Sequence, residues 1–132
     1  MRVYLCRHAQ AAPGEPDGLR PLTHEGEAQA VRLGEWLAAD DRTTPAIVVS
    51  SPLLRARQTA ALVARTIGAE LRVDARLAPG AGVGELRAIL EELTGPVAAV
   101  GHQPDCSEIV VALTGNDPGF APAGVATIEL EP

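Results

Sequence analysis

Apolar residues along this chain fall into short runs, and the longer stretches between them carry an apolar residue every third or fourth position. The runs predict strands over residues 2–6, 46–50, 71–74, 96–100 and 125–130. Aliphatic residues dominate the second and fourth runs, as in strands buried on both faces of a mostly parallel sheet. The stretches between them read as helices. The first runs from about residue 23 to 39, with Thr23 as N-cap, Glu25 and Glu27 at the positive end of the helix dipole, and Ala30, Leu33, Gly34 and Leu37 on one face. Ser51 as cap and Pro52 at the first helical position start the second, which ends near Gly68. The third places Leu86, Ile89, Leu90 and Leu93 on one stripe, and the fourth Cys106, Ile109, Val110 and Leu113. Strand and helix therefore alternate. That pattern predicts a single three-layer α/β/α domain over residues 1–132 with a mostly parallel central sheet. Residues 11–21 and 78–84 read as loops, and in such sheets ligands bind among the loops at the C-terminal edge.

Composition narrows the picture. At 132 residues the chain is long enough to bury one core, and with three aromatic residues, Tyr4, Trp36 and Phe120, that core must be aliphatic and Ala-rich. A net charge of -6 argues against nucleic acid as the main partner, though it does not forbid a local basic pocket. No apolar stretch approaches the roughly 20 residues needed to span a bilayer, and no signal peptide is evident. Cys6 and Cys106 have no metal-binding or disulfide-framework spacing. The expectation is a reduced cytoplasmic protein with no membrane partner and inert, buried thiols.

The candidate chemistry sits at strand exits. Arg7 and His8 follow the first predicted strand, Arg55 the second and His102 the fourth. In a parallel sheet all four emerge on one edge, where two histidines and two arginines suit a dianionic phosphoryl group. Arg55 lies in the first turn of its helix, beside free N–H groups, whereas Arg57 is roughly 200° further round and points elsewhere. Thr59 lies one turn beyond Arg55 on the same face. Arg20 either reaches the substrate, oriented by Asp17, or pairs with Asp17 on the surface. His24 reads as solvated, Trp36 as covering part of the core, and Ser107 as either a neighbour of His102 or a helix-surface hydroxyl.

Three segments, Arg7-His8, Ser51-Pro52-Leu53-Leu54-Arg55-Ala56 and Gly101-His102-Gln103-Pro104-Asp105, resemble the histidine phosphatase superfamily in order and spacing. With Arg20-Pro21-Leu22-Thr23 and the short chain, the likeness is to its SixA-type phosphohistidine phosphatases. The resemblance implies a phosphoglycerate mutase-like fold and His8 as a nucleophile that is transiently phosphorylated. It also implies that Arg7, Arg55 and His102 bind the phosphoryl oxygens. No metal or other cofactor is required if two arginines and a protonated His102 supply the charge. Ala9 stands where the family motif has Gly. Larger members carry a Thr, an Asn and a Gly-Arg-x-x-Gly segment after the first His. Here that stretch reads Gln10-Ala11-Ala12-Pro13-Gly14. The mutases also carry a glutamate after the third strand, while Leu77-Ala78-Pro79-Gly80-Ala81-Gly82 has no carboxylate, so mutase activity is not expected. The expected substrate is phosphohistidine in a protein. A small phosphomonoester is the rival, and a module that binds phosphohistidine without turnover is the second. An aspartyl-phosphate receiver is disfavoured, because it needs an acidic cluster where Arg7-His8 stands.

Overall fold

Residues 1–131 are described by the computed structural model; Pro132, the end of the expected domain, lies outside them. Strands β1 (Arg2–Arg7), β2 (Ile47–Ser50), β3 (Glu70–Val73), β4 (Val97–Gly101) and β5 (Val125–Glu129) form one sheet in the order β3-β2-β4-β1-β5. All neighbours are parallel except β1 and β5, which run antiparallel. Four helices connect or follow them: α1 (His24–Leu37), α2 (Leu54–Ile67), α3 (Val83–Leu90) and α4 (Asp105–Thr114). The strand pleat sends alternate residues to opposite faces. Val3, Leu5, Val97 and Ala99 meet α3 and α4 through Leu86, Ile89, Ile109 and Val110. Tyr4, Cys6, Ala98 and Val100 meet α1 and α2 through Leu33, Leu37, Ala60 and Val63. The result is the expected three-layer α/β/α arrangement, with an aliphatic core on each side of the sheet.

Small residues bring the second layer close. At Gly34 a Cβ would lie 2.7 Å from Cβ of Thr66, so α1 and α2 cross where one side chain is missing. At Gly26 a Cβ would lie 2.1 Å from the Gln10 carbonyl oxygen, so the segment leaving β1 rests directly on the first turn of α1. Thr23 caps that turn as predicted, accepting from the Gly26 amide at 2.9 Å, and donates to Oε1 of Gln10 at 2.7 Å.

Several expectations need correction. Ser51 is not the N-cap of α2. Its hydroxyl accepts from the Leu53 amide within a tight turn, Leu53 takes the cap position, and the helix starts at Leu54. α1 stops at Leu37 and α3 at Leu90; Leu93 reaches the core from the turn that follows α3. Residues 11–21 are not wholly irregular, since Ala11 bridges Leu22 and Asp17–Leu19 form a 3₁₀ turn. The second loop is shorter than expected because α3 begins at Val83. Trp36 covers part of the core, as expected, but by one edge: it is 55% exposed and meets the buried Tyr4 edge-on, with ring centroids 6.0 Å apart. Among the described residues no helix is long and apolar enough to cross a membrane, and no cluster of three or more metal-ligating side chains is present.

Candidate active site

Parallel pairing brings the strand exits into one row. Arg7 is in register with Gly101, and Ser50 with Val100. The chain beyond each strand is then tied to its neighbour: the His8 amide donates to Gly101 at 3.0 Å, and the Ser51 amide to Val100 at 3.0 Å. His8 and His102 consequently face each other with ring centroids 5.3 Å apart and planes at 58°.

The His8 ring is fixed by its own backbone. Nδ1 lies 2.7 Å from the Ala9 carbonyl oxygen. A carbonyl only accepts, so Nδ1 carries the proton and the neutral ring keeps its lone pair on Nε2. Burial lowers the His8 pKa, and the charges of Arg55, Arg7 and Arg20 lower it further, against the upward effect of the Ala9 hydrogen bond. At neutral pH His8 is therefore a neutral imidazole, protonated on Nδ1 alone, among guanidinium groups. Such a nitrogen can attack phosphorus whose oxygens those guanidiniums hold.

His102 shares a hydrogen bond of 2.7 Å between its Nε2 and the Ser51 hydroxyl. Burial, then His8 and then Arg55 push its pKa down to about 4. In the free protein the site therefore holds two neutral imidazoles, and the protonated His102 expected for phosphoryl binding is not its resting form. Proton uptake there has to await an anion that offsets the arginines.

Arg55 is buried although it carries a charge, with only 8% of its surface exposed. Its Nη1 donates to the Asp17 carbonyl at 3.0 Å and Nη2 to the Asp17 carboxylate at 3.2 Å. Arg20 holds the other carboxylate oxygen at 3.0 Å and donates through Nε to the Ala12 carbonyl at 2.8 Å. Asp17 therefore bridges the two arginines, which joins the two alternatives the sequence allowed: the pair forms, and it forms against the site. These hydrogen bonds, that of Arg20 foremost, hold the Asp17 carboxyl below its ordinary range despite some desolvation. Arg7 donates through Nη1 to the Phe120 carbonyl at 2.8 Å. Among the described residues, the buried side-chain polar atoms without a partner are Arg7 Nε and His102 Nδ1, both within this cluster. Leaving such an atom unpaired costs roughly 1–3 kcal/mol. Both unpaired atoms belong to groups able to bind an anion.

Arg57, two residues beyond Arg55, turns back onto the Pro52 carbonyl at 2.9 Å, in keeping with its position on the helix wheel. His24 is exposed, as expected. Cys6 and Cys106 are free and buried; burial raises both thiols, that of Cys106 to about 12, so neither is a ready nucleophile. Ser107 exchanges two hydrogen bonds with the Gln103 side chain and is not the partner of His102. Two site contacts escaped the sequence reading. Ser51 looked like a helix cap because its role depends on a histidine 51 positions away. Asp105 is buried and accepts from the Gly80 amide at 2.7 Å, pinning the loop before α3, and no local pattern announces that contact.

The sequence profile of the histidine phosphatase superfamily (branch 1) matches residues 3–109. An uncharacterized protein of Picosynechococcus is 36% identical over 95% of this chain and 82% of its own length. The "probable phosphoglycerate mutase GpmB" of Citrobacter koseri is 37% identical over 58% of this chain, and that match spans only 37% of the relative. Among solved structures, the protein histidine phosphatase SixA complexed with tungstate superposes with a TM-score of 0.87 at 29% identity, covering 99% of this chain and 89% of that one. The "putative phosphohistidine phosphatase SixA" from Agrobacterium tumefaciens gives a TM-score of 0.80 at 33% identity, covering 96% of this chain and 89% of that one.

Proposed function

This chain belongs to the histidine phosphatase superfamily, and from that premise we propose that it is a phosphatase that passes the phosphoryl group through His8, with phosphohistidine in a protein as its substrate. The observation that carries the reading is the Nδ1–Ala9 hydrogen bond, which leaves Nε2 of His8 as the nucleophilic atom. In the first step Nε2 attacks phosphorus in line, and the bond to the substrate nitrogen breaks with its electron pair passing to the leaving imidazole. In the second step water attacks the phosphorus on His8. The P–Nε2 bond breaks, its pair returns to Nε2, and the proton of the water leaves with phosphate or solvent. Arg7, Arg55 and His102 bind the phosphoryl oxygens, and the charge of two arginines makes a metal unnecessary. Arg20 supports this group from outside through Asp17.

The leaving group favours phosphohistidine. Asp17, the carboxylate tied to the phosphate clamp, is held in its ionised form and has no proton to give. An alkoxide leaves badly without a proton, whereas imidazole, with a conjugate-acid pKa of about 6.5, can carry its own. The likeness to structures described as SixA supports a protein substrate, and the partial likeness to GpmB supports the rival, a small phosphomonoester. The buried reduced thiols and the acidic net charge suit a cytoplasmic protein that does not act on nucleic acid. Phosphate release from a phosphohistidine protein, measured beside aryl and alkyl phosphates, tests the reading. The expected kcat/KM falls steeply as the leaving group becomes more basic. Preference for an alkyl phosphate would move the assignment to a small-molecule phosphatase, and binding without release would make the protein a phosphohistidine-binding module.

A further inference from the structure

The His8 ring is oriented by a carbonyl, and that carbonyl belongs to a backbone segment that has itself to be held. The His8–Ala9 peptide is gripped on both sides. Its carbonyl accepts from the Ala123 amide at 3.1 Å, and its N–H, that of Ala9, donates to the Thr59 hydroxyl at 2.9 Å. The next carbonyl along the chain, that of Ala9, is the one that receives Nδ1 of His8. Thr59 is fully buried, and its hydroxyl donates its only hydrogen to the Arg55 carbonyl at 2.8 Å, so toward Ala9 it can only accept. A helical threonine often bonds back to the carbonyl four residues earlier for no functional reason. Here the lone pairs of that same hydroxyl are aimed across 50 residues at the peptide that carries the nucleophile. One oxygen thus connects the backbone of the phosphate clamp to the backbone of His8.

We propose that Thr59 is a positioning residue for catalysis: by holding the Ala9 peptide, it makes the Ala9 carbonyl select the His8 tautomer whose Nε2 is free to attack. A histidine in water favours the opposite tautomer, with the proton on Nε2, so the selection has to be made by the fold. The inference rests on the reading of His8 as the nucleophile. Loss of Thr59 leaves the Ala9 amide buried without an acceptor, and the peptide turns to find one. The Ala9 carbonyl turns with it, and the His8 ring loses the contact that fixes it. Phosphate binding, carried by guanidinium groups, is left largely in place, so the defect belongs to kcat rather than KM.

Thr59→Val keeps the shape and removes the hydroxyl, and Thr59→Ser keeps the hydroxyl and removes the methyl. For Thr59→Val, kcat should fall about 10- to 100-fold, the scale of a misplaced reacting group, with KM changed much less. Thr59→Ser should recover most of that loss. Nitrogen-15 spectra of labelled histidine in the free protein should show His8 protonated on Nδ1 in the parent chain and in Thr59→Ser, and a mixture of tautomers in Thr59→Val. If Thr59→Val does not fold, Thr59→Ala replaces it against Thr59→Ser, and equal kcat values for that pair overturn the proposal. An unchanged kcat in Thr59→Val overturns it, and so does a lowered kcat with the His8 tautomer unaltered, which would leave Thr59 a packing residue. The tautomer is read without turnover, so failure of His8 as nucleophile would be seen separately, in a His8→Ala protein that still releases phosphate.

Discussion

The site has two halves built by different means. The inner half, Arg7, His8, Ser51 and His102, emerges from adjacent parallel strands, and strand register together with inter-strand amides fixes its spacing. The outer half, Asp17 and Arg20, comes from the segment between β1 and α1, and Asp17 is exposed. Arg55 lies where they meet, rooted in α2 and capped by Asp17. In the inner half Ser51 and His102 are buried and Arg7 and His8 half-buried, and burial is the chief cause that lowers the pKa values of the two histidines. The outer half is an ion-pair network in contact with water, where charge interactions are screened and each pair contributes little. If chemistry depends on preorganised groups in a buried setting, the effect of a substitution should fall steadily from the inner half to the outer.

The largest effect is expected at His8. His8→Ala removes the attacking nitrogen, and nothing else at the end of β1 can replace it. Turnover should fall by at least about 10⁴-fold. Rapid quench with labelled substrate should trap acid-labile phosphate on His8 and leave the exposed His24 unlabelled. Label on Cys6 or Ser51, or an active His8→Ala, would break the distinction between the halves at its strongest point.

Arg55 should come next. Truncating one partner of a buried charge-assisted contact costs about 2–5 kcal/mol, which corresponds to a loss of roughly 30-fold to several-thousand-fold in kcat/KM for Arg55→Ala. Arg57→Ala, on the same helix with its guanidinium on the Pro52 carbonyl, should change kcat/KM by about threefold or less. Equal losses at the two positions would mean that exposure to phosphate, and not placement at the junction, sets the effect.

His102 tests the buried part of the inner half through pH. Its pKa in the folded protein is about 4, below the ordinary histidine value of 6.5, so the unfolded chain binds more protons between those limits. The stability that depends on a neutral His102 is complete above pH 6.5 and is lost as pH falls toward 4. The size is on the order of 1–3 kcal/mol. Denaturant unfolding at pH 7 and at pH 4.5 should show that loss in the parent chain and a smaller one in His102→Gln. His8, also lowered, adds a loss of the same sign to both proteins. A pH dependence identical in the two would mean that His102 is solvated.

The inner half was also the more legible in the sequence. A strand exit is marked by an apolar run, so Arg7, His8, Arg55 and His102 could be placed on one edge before any geometry was known, and helix periodicity separated Arg55 from Arg57. What escaped was made of contacts between distant segments. The Ser51 hydroxyl meets His102, and the Thr59 hydroxyl meets Ala9, across gaps that no local pattern encodes. The first was read as a helix cap because Ser-Pro ahead of an apolar repeat is a good cap signal, and the hydroxyl was needed elsewhere. The protonated His102 expected for phosphoryl binding is not its form in the free protein, because burial, then His8 and Arg55, keep the imidazole neutral, and no sequence pattern shows how deeply that ring is buried. The outer half left two readings open because the same Asp17–Arg20 pair is compatible with both.

Arg20 gives the smallest expected effect. Its guanidinium is already engaged by Asp17 and by the Ala12 carbonyl, and its side chain is partly exposed. Removing it leaves Asp17 still bound to Arg55, so the clamp keeps its own support. Arg20 also acts on His8 only as a distant positive charge, the last among the causes that lower its pKa. Arg20→Ala should therefore reduce kcat/KM by about threefold or less, with the change in KM and with high salt narrowing the difference from the parent chain. The acid limb of the pH profile should move upward slightly, because one of the charges disfavouring the imidazolium form of His8 is gone. Steady-state kinetics at low and high ionic strength would measure both. A loss as large as that of Arg55→Ala would show that Arg20 leaves Asp17 and grips the phosphoryl group during turnover, and the boundary between the halves would then lie one residue shell further out.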